Sequence, residues 1–341
     1  MMMKREGREA GRIEAIAFTD RGEALAEKLM ESVGGTASRS GQPDSLRVWT
    51  KRNFSQAGAL VFVGAMGIAV RAIAPWVDSK VSDPAVIVID EQGRNVIPVL
   101  SGHLGGANDL AMKLAKVCGG RCVITTATDI NGVFAVDEWA KHQNCAILEP
   151  ERIKDVSGGL LHGEMKTLRS HWPIAGALPD GLMMTKAEEA DIVMDIRPTG
   201  EKAIHLVPRI CRLGIGCRRG TKAEDLESFL RDILKETGIS EAAIDGAATI
   251  DIKGDEKGLV EFCENHGWEL QLFSAPQLEQ APGNFRGSKF VTGITGVDNV
   301  CERSAVLAAE GDLIVEKTAG GGITMALAQS SYQPDWEWTN E

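Results

Sequence analysis

The segment VIPVLSGHLGGANDLAMKLAKVCGGRCVITT, residues 96–126, decides the fold class. Residues 96–100 are apolar and suit a buried strand, and a glycine-rich turn follows them. Residues 108–118 then carry apolar side chains three and four positions apart, as one face of a helix does. Gly119 is a typical helix stop, and residues 121–126 form the next apolar run. This order of elements predicts an α/β fold with a largely parallel sheet covered by helices.

The same alternation continues toward the N-terminus. We expect strands at 13–18, 59–63 and 85–89 and a helix at 22–30. Residues 11–132 are therefore predicted to form an N-terminal α/β domain with a mostly parallel sheet. Over residues 133–206, prolines and glycines interrupt the pattern, which predicts a small middle region of undefined structure.

The third part of the chain, residues 207–330, is predicted to form a C-terminal α/β domain. A helix over 222–237 has one apolar face, and Thr221 and Glu224 have the spacing of a capping box. The other predicted elements are strands at 210–215, 247–252 and 269–273, and helices ending at 266 and spanning 300–309 and 323–329.

Composition excludes several classes of function. The net charge is −11 and the chain has no basic run, which argues against nucleic acid as a partner. No stretch approaches the roughly 20 apolar residues of a membrane span, so no membrane partner is expected. Seven scattered cysteines favour a reducing compartment, and we expect a cytoplasmic protein. The six histidines lack metal-site spacing, so no protein-bound metal is expected.

The turn at residues 101–109 is the first candidate site, because it follows a strand and opens a helix. Its glycines allow close backbone approach, and the helix N-terminus favours a carboxylate or a developing oxyanion. An imidazole can move a proton near neutral pH. The catalytic candidates are Ser101, His103 and Asp109, and the substrate-binding candidates are Gly105, Gly106 and Asn108. In the alternative interpretation the turn is structural and Asn108 caps the helix.

Residues 213–221, LGIGCRRGT, are the second candidate site. Their glycine spacing departs by one residue from the dinucleotide fingerprint. Two guanidinium groups beside a helix N-terminus suit carboxylates, and Lys222 adds a third cation, so this segment meets the need of an anionic ligand for a locally basic site. The same field could activate a thiol, although a packed cysteine is the commoner case. The binding candidates are Gly214, Gly216, Cys217, Arg218, Arg219 and Thr221.

Further binding candidates come from weaker patterns. Gly64, Gly67 and Arg71 form another glycine turn with a trailing arginine, for which a structural turn is an equal alternative. Thr126 ends a predicted strand. Glu302 and Thr318 lie in two segments near the end of the chain, 301–304 and 317–322. The second segment ends in a triple glycine before a predicted helix, where the backbone could approach an anion.

Six motifs carry a resemblance to a known family: SGHLGGANDLA (101–111), VFVGAMGIAVRAIAP (61–75), LGIGCRRGT (213–221), TIDIKGDEKGL (249–259), VCERSAVLAA (300–309) and KTAGGGIT (317–324). In order and spacing they resemble the cobalt-precorrin-5A hydrolase family of cobalamin biosynthesis, CbiG. The resemblance covers about residues 10–330, but the middle region contributes no motif to it.

The resemblance implies an enzyme of anaerobic, early-cobalt cobalamin synthesis. Its substrate would be a cobalt-bearing, methylated tetrapyrrole with a δ-lactone. Family members open the lactone and expel acetaldehyde, which converts cobalt-precorrin-5A into cobalt-precorrin-5B. The cobalt belongs to the substrate, and no cofactor is implied. Neighbouring methyltransferases of the pathway and a homodimer are further expectations.

Within this reaction, His103 is expected to activate water or protonate the departing oxygen, while the Gly105 and Gly106 amides receive the oxyanion. Arg218, Arg219 and Lys222 would hold the acetate and propionate groups of the macrocycle. Two alternatives remain open. One is a corrinoid carrier without catalysis, and the other is a Rossmann-type nucleotide enzyme built on the turn at Gly214.

Overall fold

A computed structural model describes residues 9–79, 82–102, 105–285, 287 and 296–337. The chain divides into two compact units. The first comprises Met1–Trp139, Ile153–Glu164 and Thr339–Glu341, and the second comprises Ala140–Arg152 and Met165–Trp338. The described residues form one six-stranded sheet in the first unit and two five-stranded sheets in the second. The predicted α/β class with mainly parallel strand pairing is confirmed.

The sheet of the first unit has the order β2-β1-β3-β4-β5-β6. Its strands are β1 (Glu9–Ala17), β2 (Thr36–Arg39), β3 (Ala57–Val63), β4 (Ala85–Ile89), β5 (Asn95–Leu100) and β6 (Arg121–Cys122). The helices in this part of the chain are α1 (Asp20–Val33), α2 (Leu46–Gln56), α3 (Met66–Ile73), α4 (Ala107–Cys118), α5 (Ala127–Asn131), α6 (Val136–His142) and α7 (Ile153–Leu161).

Helices cover both faces of this sheet because its central strands are apolar on both sides. Val61 and Ile87 belong to a core that includes residues of α1 and α4. Their neighbours Phe62 and Val88 belong to a second core, with residues of α2 and α3. Adjacent strand residues point to opposite faces, so a continuous apolar run fills both cores.

Strand β5 runs antiparallel to β4. Only residues 90–94 connect the two strands, whereas a parallel crossover needs a dozen or more residues. The Asp90 carboxylate accepts hydrogen bonds from the backbone N–H groups of Gln92, Arg94 and Asn95 at 2.9, 3.3 and 2.6 Å. The turn that follows β5 therefore lies at the sheet edge where β1, β3 and β4 begin.

The second unit holds the middle sheet, with the order β7-β11-β10-β8-β9. Its strands are β7 (Cys145–Ile147), β8 (Lys166–Ser170), β9 (Leu182–Met184), β10 (Ile192–Met194) and β11 (Ile204–Pro208). All pairs are parallel except that of β7 with β11. These strands have three to five residues each, too few for a periodic pattern to identify in the sequence.

The C-terminal sheet has the order β14-β13-β12-β16-β15. Its strands are β12 (Cys211–Cys217), β13 (Ile244–Ile250), β14 (Glu269–Phe273), β15 (Asp312–Gly320) and β16 (Ile323–Gln329). The helices are α8 (Ala223–Thr237), α9 (Lys257–His266), α10 (Ala275–Glu279) and α11 (Cys301–Ala309).

Two local predictions for this sheet are wrong. The segment 323–329 is strand β16, because Gly321 and Gly322 at φ of +59° and +87° reverse the chain into a β15–β16 hairpin. Thr221 does not cap α8. Its hydroxyl donates to the carbonyl of Arg218 at 2.8 Å, and Lys222 occupies the cap position without a side-chain cap bond.

Helix α11 packs directly on β12 because Gly214 has no side chain. A Cβ at this position would lie 1.8 Å from the carbonyl oxygen of Cys301 and 2.8 Å from the backbone nitrogen of Ala305. The Ser304 hydroxyl donates to the carbonyl of Ala248 at 3.2 Å and ties the same helix to β13. Gly214 is therefore a packing residue inside a strand.

Replacing Asp90 with alanine should destabilise the protein by about 1 kcal/mol at pH 7, since three backbone donors lose their acceptor. Partial burial opposes ionisation, but these donors lower the pKa of Asp90. Its contribution is therefore present above about pH 4 and is lost as the pH falls through the lower folded pKa. Urea unfolding across this range measures the effect, with Gln92→Ala as an exposed control. An equal loss for both variants would contradict the role of Asp90.

Gly214→Ala should destabilise the second unit by more than about 2 kcal/mol, because the new methyl group overlaps α11. Gly158→Ala in α7 is the matched control, since a Cβ there meets nothing within 4 Å. Helix propensity predicts that this control is neutral or slightly stabilising. Thermal and urea unfolding compare the two, and a Gly214→Ala protein as stable as the control would refute the packing role.

Candidate functional site

The turn after β5 forms the Ser101 opening, defined by Ser101, Gly102, Gly105, Gly106, Asn108 and Asp109. Ser101 has φ of +56°, a region that non-glycine residues seldom adopt. Its hydroxyl donates to the carbonyl of Asp83 at 3.1 Å. A Cβ on Gly105 would lie 2.3 Å from the Cβ of Ser101, so the turn requires glycine there. The opening is thus a tight turn held against the residues that precede β4.

Asn108 joins the opening to the segment after β6. It is 2% exposed, and its Nδ2 donates to Oδ2 of Asp129 at 3.1 Å. The cap position of α4 is Gly106, so the interpretation of Asn108 as a helix cap is wrong. Thr126 precedes α5 and is half-buried. Asp109 is half-buried in the first turn of α4.

The opening retains donors for an anion. The N–H groups of Gly105 and Gly106 donate to no acceptor in the part of the chain that the structure describes. They precede the N-terminus of α4, whose partial positive charge also favours an anion. His103, the predicted proton-transfer residue, lies outside the described residues.

The structure does not bring Gly64, Gly67 and Arg71 to this opening. They follow the carboxyl end of β3, whereas the antiparallel β5 ends at the opposite edge of the sheet. A Cβ on Gly64 would lie 2.7 Å from the Phe18 ring, which gives this glycine a packing role. The Arg71 Nη1 donates to the carbonyl of Gly67 at 3.2 Å. The two turns therefore lie at opposite edges of the sheet.

In the second unit, a cleft of about 570 Å³ lies at the N-terminal ends of α8 and α9. We name it the Arg219 cleft. Its charged lining consists of Arg219, Lys222, Lys257, Glu224, Asp255, Glu256 and Glu261. Three basic side chains face four acidic ones, so the local excess of positive charge expected from the sequence is absent from this lining.

The Glu256 carboxylate accepts hydrogen bonds that could otherwise hold a bound anion in this cleft. Its Oε1 accepts the N–H of Gly220 at 2.6 Å, and its Oε2 accepts Nζ of Lys253 at 3.3 Å. The Gly220 N–H lowers the pKa of Glu256, and Lys253 acts in the same direction. This carboxylate therefore stays ionised near neutral pH and is unsuited to act as a general acid.

The two neighbouring arginines diverge. Arg219 lines the cleft, whereas the Arg218 side chain lies against the β15–β16 hairpin, where a Cβ on Gly322 would be 2.6 Å from its Cδ. The backbone N–H of Arg218 donates to the carbonyl of Gly322 at 3.1 Å. The two guanidinium groups do not line the same cavity.

The two glycines of β12 are covered by other parts of the chain. A Cβ on Gly216 would lie 2.5 Å from the Thr324 hydroxyl, and Gly214 is covered by α11. The covering of both glycines argues against close approach of a nucleotide phosphate to the backbone, and so against the Rossmann interpretation. Burial raises the pKa of the Cys217 thiol, and the nearby Lys253 offsets this only in part. Cys217 is not an activated nucleophile.

Glu302 is 1% exposed and accepts the backbone N–H of Lys317 at 2.7 Å. It also accepts a hydrogen bond from Nδ2 of Asn299, whose own oxygen receives the N–H of Glu302. This pairing stabilises the start of α11. Thr318 is half-buried on β15, in register with Met325. The predicted helix start beside it is absent because the triple glycine ends a strand and forms a hairpin.

Sequence reasoning missed Asp83. This residue is 2% exposed, its carboxylate accepts the N–H of Asp78, and its carbonyl receives the Ser101 hydroxyl. The sequence puts Asp83 two residues before the strand predicted over 85–89. This signal identifies Asp83 only if β5 is already known to run antiparallel to β4. Among the described residues, no group of three or more potential ligands could hold a metal ion. No helix in the same ranges combines the length and apolarity needed to cross a bilayer.

Comparisons with known proteins identify relatives. The families described as "Cobalamin synthesis G N-terminal" and "Cobalamin synthesis G C-terminus" match residues 48–129 and 211–328. The chain is 30% identical over 310 residues to a cobalt-precorrin-5A hydrolase of Priestia megaterium, covering 84% of this chain and 83% of the relative. It is 35% identical over 292 residues to the Salmonella typhimurium enzyme of that name, covering 81% and 83%.

A solved structure of a cobalamin biosynthesis protein G homolog from Sulfolobus solfataricus is 21% identical. The match covers 94% of this chain and 97% of that one, with a TM-score of 0.41.

Cys217 should react slowly with iodoacetamide at pH 7, because burial raises its pKa and the thiolate is the reactive form. We expect a rate at least about ten-fold below that of the same cysteine in the urea-unfolded chain, rising as the pH increases. Mass spectrometry of the labelled peptide measures both rates. Labelling of the folded protein as fast as of the unfolded chain would show that the thiol is activated after all.

Proposed function

This chain belongs to the cobalt-precorrin-5A hydrolase family of cobalamin biosynthesis, and from that membership we propose that it hydrolyses cobalt-precorrin-5A. The reaction opens the δ-lactone of the tetrapyrrole and releases its two-carbon unit as acetaldehyde, which leaves cobalt-precorrin-5B. Two relatives that carry this enzyme's name align over more than four fifths of the chain, and this alignment is the observation that carries the proposal.

The Ser101 opening supports hydrolytic chemistry. Attack of water on an acyl carbon needs a base and donors for the oxyanion that forms. We assign the oxyanion to the Gly105 and Gly106 N–H groups, which precede the N-terminus of α4, and the sequence puts the His103 imidazole in the same turn. We assign water activation, or protonation of the departing oxygen, to His103. Ser101 holds the turn to Asp83, Asn108 joins the start of α4 to Asp129, and Asp109 lies in the first turn of α4.

Substrate carboxylates require cations, because the protein has a net charge of −11. We assign Arg219 and Lys222 in the Arg219 cleft to acetate or propionate groups of the macrocycle, with Arg218 acting separately at the hairpin. The cobalt enters with the substrate, and water is the second reactant. A cytoplasmic location, a homodimer and contacts with neighbouring methyltransferases belong to the same proposal, and sedimentation velocity measures the oligomeric state.

Incubation of the purified protein with cobalt-precorrin-5A under anaerobic conditions should release acetaldehyde in proportion to substrate consumed. A carrier without catalysis would bind the substrate and release none. Coupled reduction of acetaldehyde by alcohol dehydrogenase and NADH measures the product. Absence of acetaldehyde from a folded, substrate-binding protein would refute the proposed reaction.

His103→Ala should lower turnover by about 100-fold or more, since a positioned proton-transfer group contributes this order of rate. His142→Ala is the control, because His142 is exposed at the end of α6. Comparison of kcat at saturating substrate separates a catalytic loss from a binding loss. Full turnover by the His103→Ala enzyme would remove this residue from the mechanism.

A further inference from the structure

A second cavity of the second unit, about 290 Å³ in volume, lies on the middle sheet. We name it the middle pocket. Its polar lining includes Arg169, Ser170, His171, Thr185, Lys186 and Asp195. Neither matched family covers this part of the chain, because the matches end at residue 129 and resume at residue 211.

The middle pocket lies where three parallel strands end. Ser170 ends β8, Thr185 follows β9 and Asp195 follows β10. Backbone hydrogen bonds fix these ends. The N–H of Thr185 donates to Leu168 at 2.9 Å, and the N–H of His171 donates to Met194 at 3.0 Å. The carboxyl ends of parallel strands are therefore held in one place.

The strand order adds a topological reason for a ligand site. From β8 the chain first adds β9 on one side and then β10 and β11 on the other. The order thus reverses next to β8, and in open α/β sheets ligands bind outside the carboxyl ends at such a switch point. The middle pocket occupies this position, since residues from β8 and β10 line it.

The charges of the pocket favour an anion. Its lining has two basic side chains, Arg169 and Lys186, one carboxylate, Asp195, and the imidazole of His171. Asp195 accepts the N–H of Arg197 at 2.9 Å and lies 3.7 Å from Nδ1 of His171. The Arg219 cleft, by contrast, has more acidic than basic side chains. The middle pocket therefore meets the local-basicity condition that the net charge imposes on an anionic ligand.

Arg169 is held in a fixed position at this site. Its Nη2 donates to the hydroxyl of Thr199 at 2.6 Å, which fixes the guanidinium. Its Nε is buried and has no hydrogen-bond partner in the described part of the chain. A guanidinium held in one position loses little side-chain freedom when it binds, which favours a carboxylate as the ligand of the pocket that Arg169 lines.

We propose that the middle pocket binds a carboxylate side arm of the tetrapyrrole, held by Arg169 and Lys186. This inference rests on the proposed function for the identity of the ligand. It assigns the middle region a role in substrate binding, with the reacting atoms placed elsewhere. Arg169 and Lys186 are therefore binding residues whose loss should raise KM and leave kcat largely unchanged.

The direct test uses cobyrinic acid, a corrinoid whose side arms end in free carboxylates, and its fully methylated ester. Arg169→Gln/Lys186→Gln should weaken binding of the acid by about ten-fold or more at constant ionic strength, and should leave binding of the ester unchanged. Lys202→Gln/Lys235→Gln removes the same charge from exposed positions outside the pocket and should retain wild-type affinity for the acid. Isothermal titration calorimetry measures the affinities, and circular dichroism verifies folding.

Wild-type affinity of the pocket variant for the acid would overturn the proposal. An equal loss in the exposed control would also overturn it, since the effect would then come from net charge. So would absence of binding of the acid to the wild-type protein. Binding is measured without turnover, so failure of the pocket proposal can be told apart from failure of the proposed reaction. Acetaldehyde release with unaltered acid binding by the pocket variant refutes the pocket alone, whereas weakened binding without acetaldehyde release refutes the reaction alone.

Discussion

The Asp90 turn imposes the constraint on which the chemistry of the first unit depends. Three backbone N–H groups converge on this carboxylate and reverse the chain within residues 90–94, so β5 must run antiparallel to β4. The Ser101 opening consequently lies where β1, β3 and β4 begin, beside Asp83 and Asp129. A parallel β5 would have placed it beside Gly64 and Arg71. The position of the proposed oxyanion donors thus follows from one turn.

The two cavities of the second unit differ in the balance of basic and acidic side chains that line them. In the Arg219 cleft, Glu256 already accepts the Gly220 N–H and Nζ of Lys253, so a substrate carboxylate there would depend on Arg219 and Lys222. The middle pocket has the opposite balance, since Arg169 and Lys186 outnumber the one carboxylate of its lining, Asp195. A polycarboxylate substrate would therefore gain more from the middle pocket than from the Arg219 cleft.

Sequence patterns predicted the bounds of buried strands closely. Strand β4 was predicted over 85–89 and β14 over 269–273, as observed, because apolar runs bounded by turns identify buried strands. The helix predicted over residues 323–329 is wrong, because a glycine run before an apolar segment is typical of both a helix start and a hairpin strand. The antiparallel direction of β5 relative to β4 could have been predicted from the sequence, since a five-residue connection cannot make a parallel crossover. Packing between distant parts of the chain could not be predicted from the sequence. That Gly214 admits α11, and that the buried Glu302 accepts the N–H of Lys317, depends on residues far apart in the chain.

Amide hydrogen exchange with and without saturating cobalt-precorrin-5A, in the slow His103→Ala enzyme, tests the placement of the chemistry most directly. If the Ser101 opening receives the reacting group, peptides spanning 101–110 will exchange more slowly with substrate present, and peptides spanning 64–71 will not change. Protection of residues 64–71 with no change at 101–110 would contradict this placement and move the reaction to the opposite edge of the sheet.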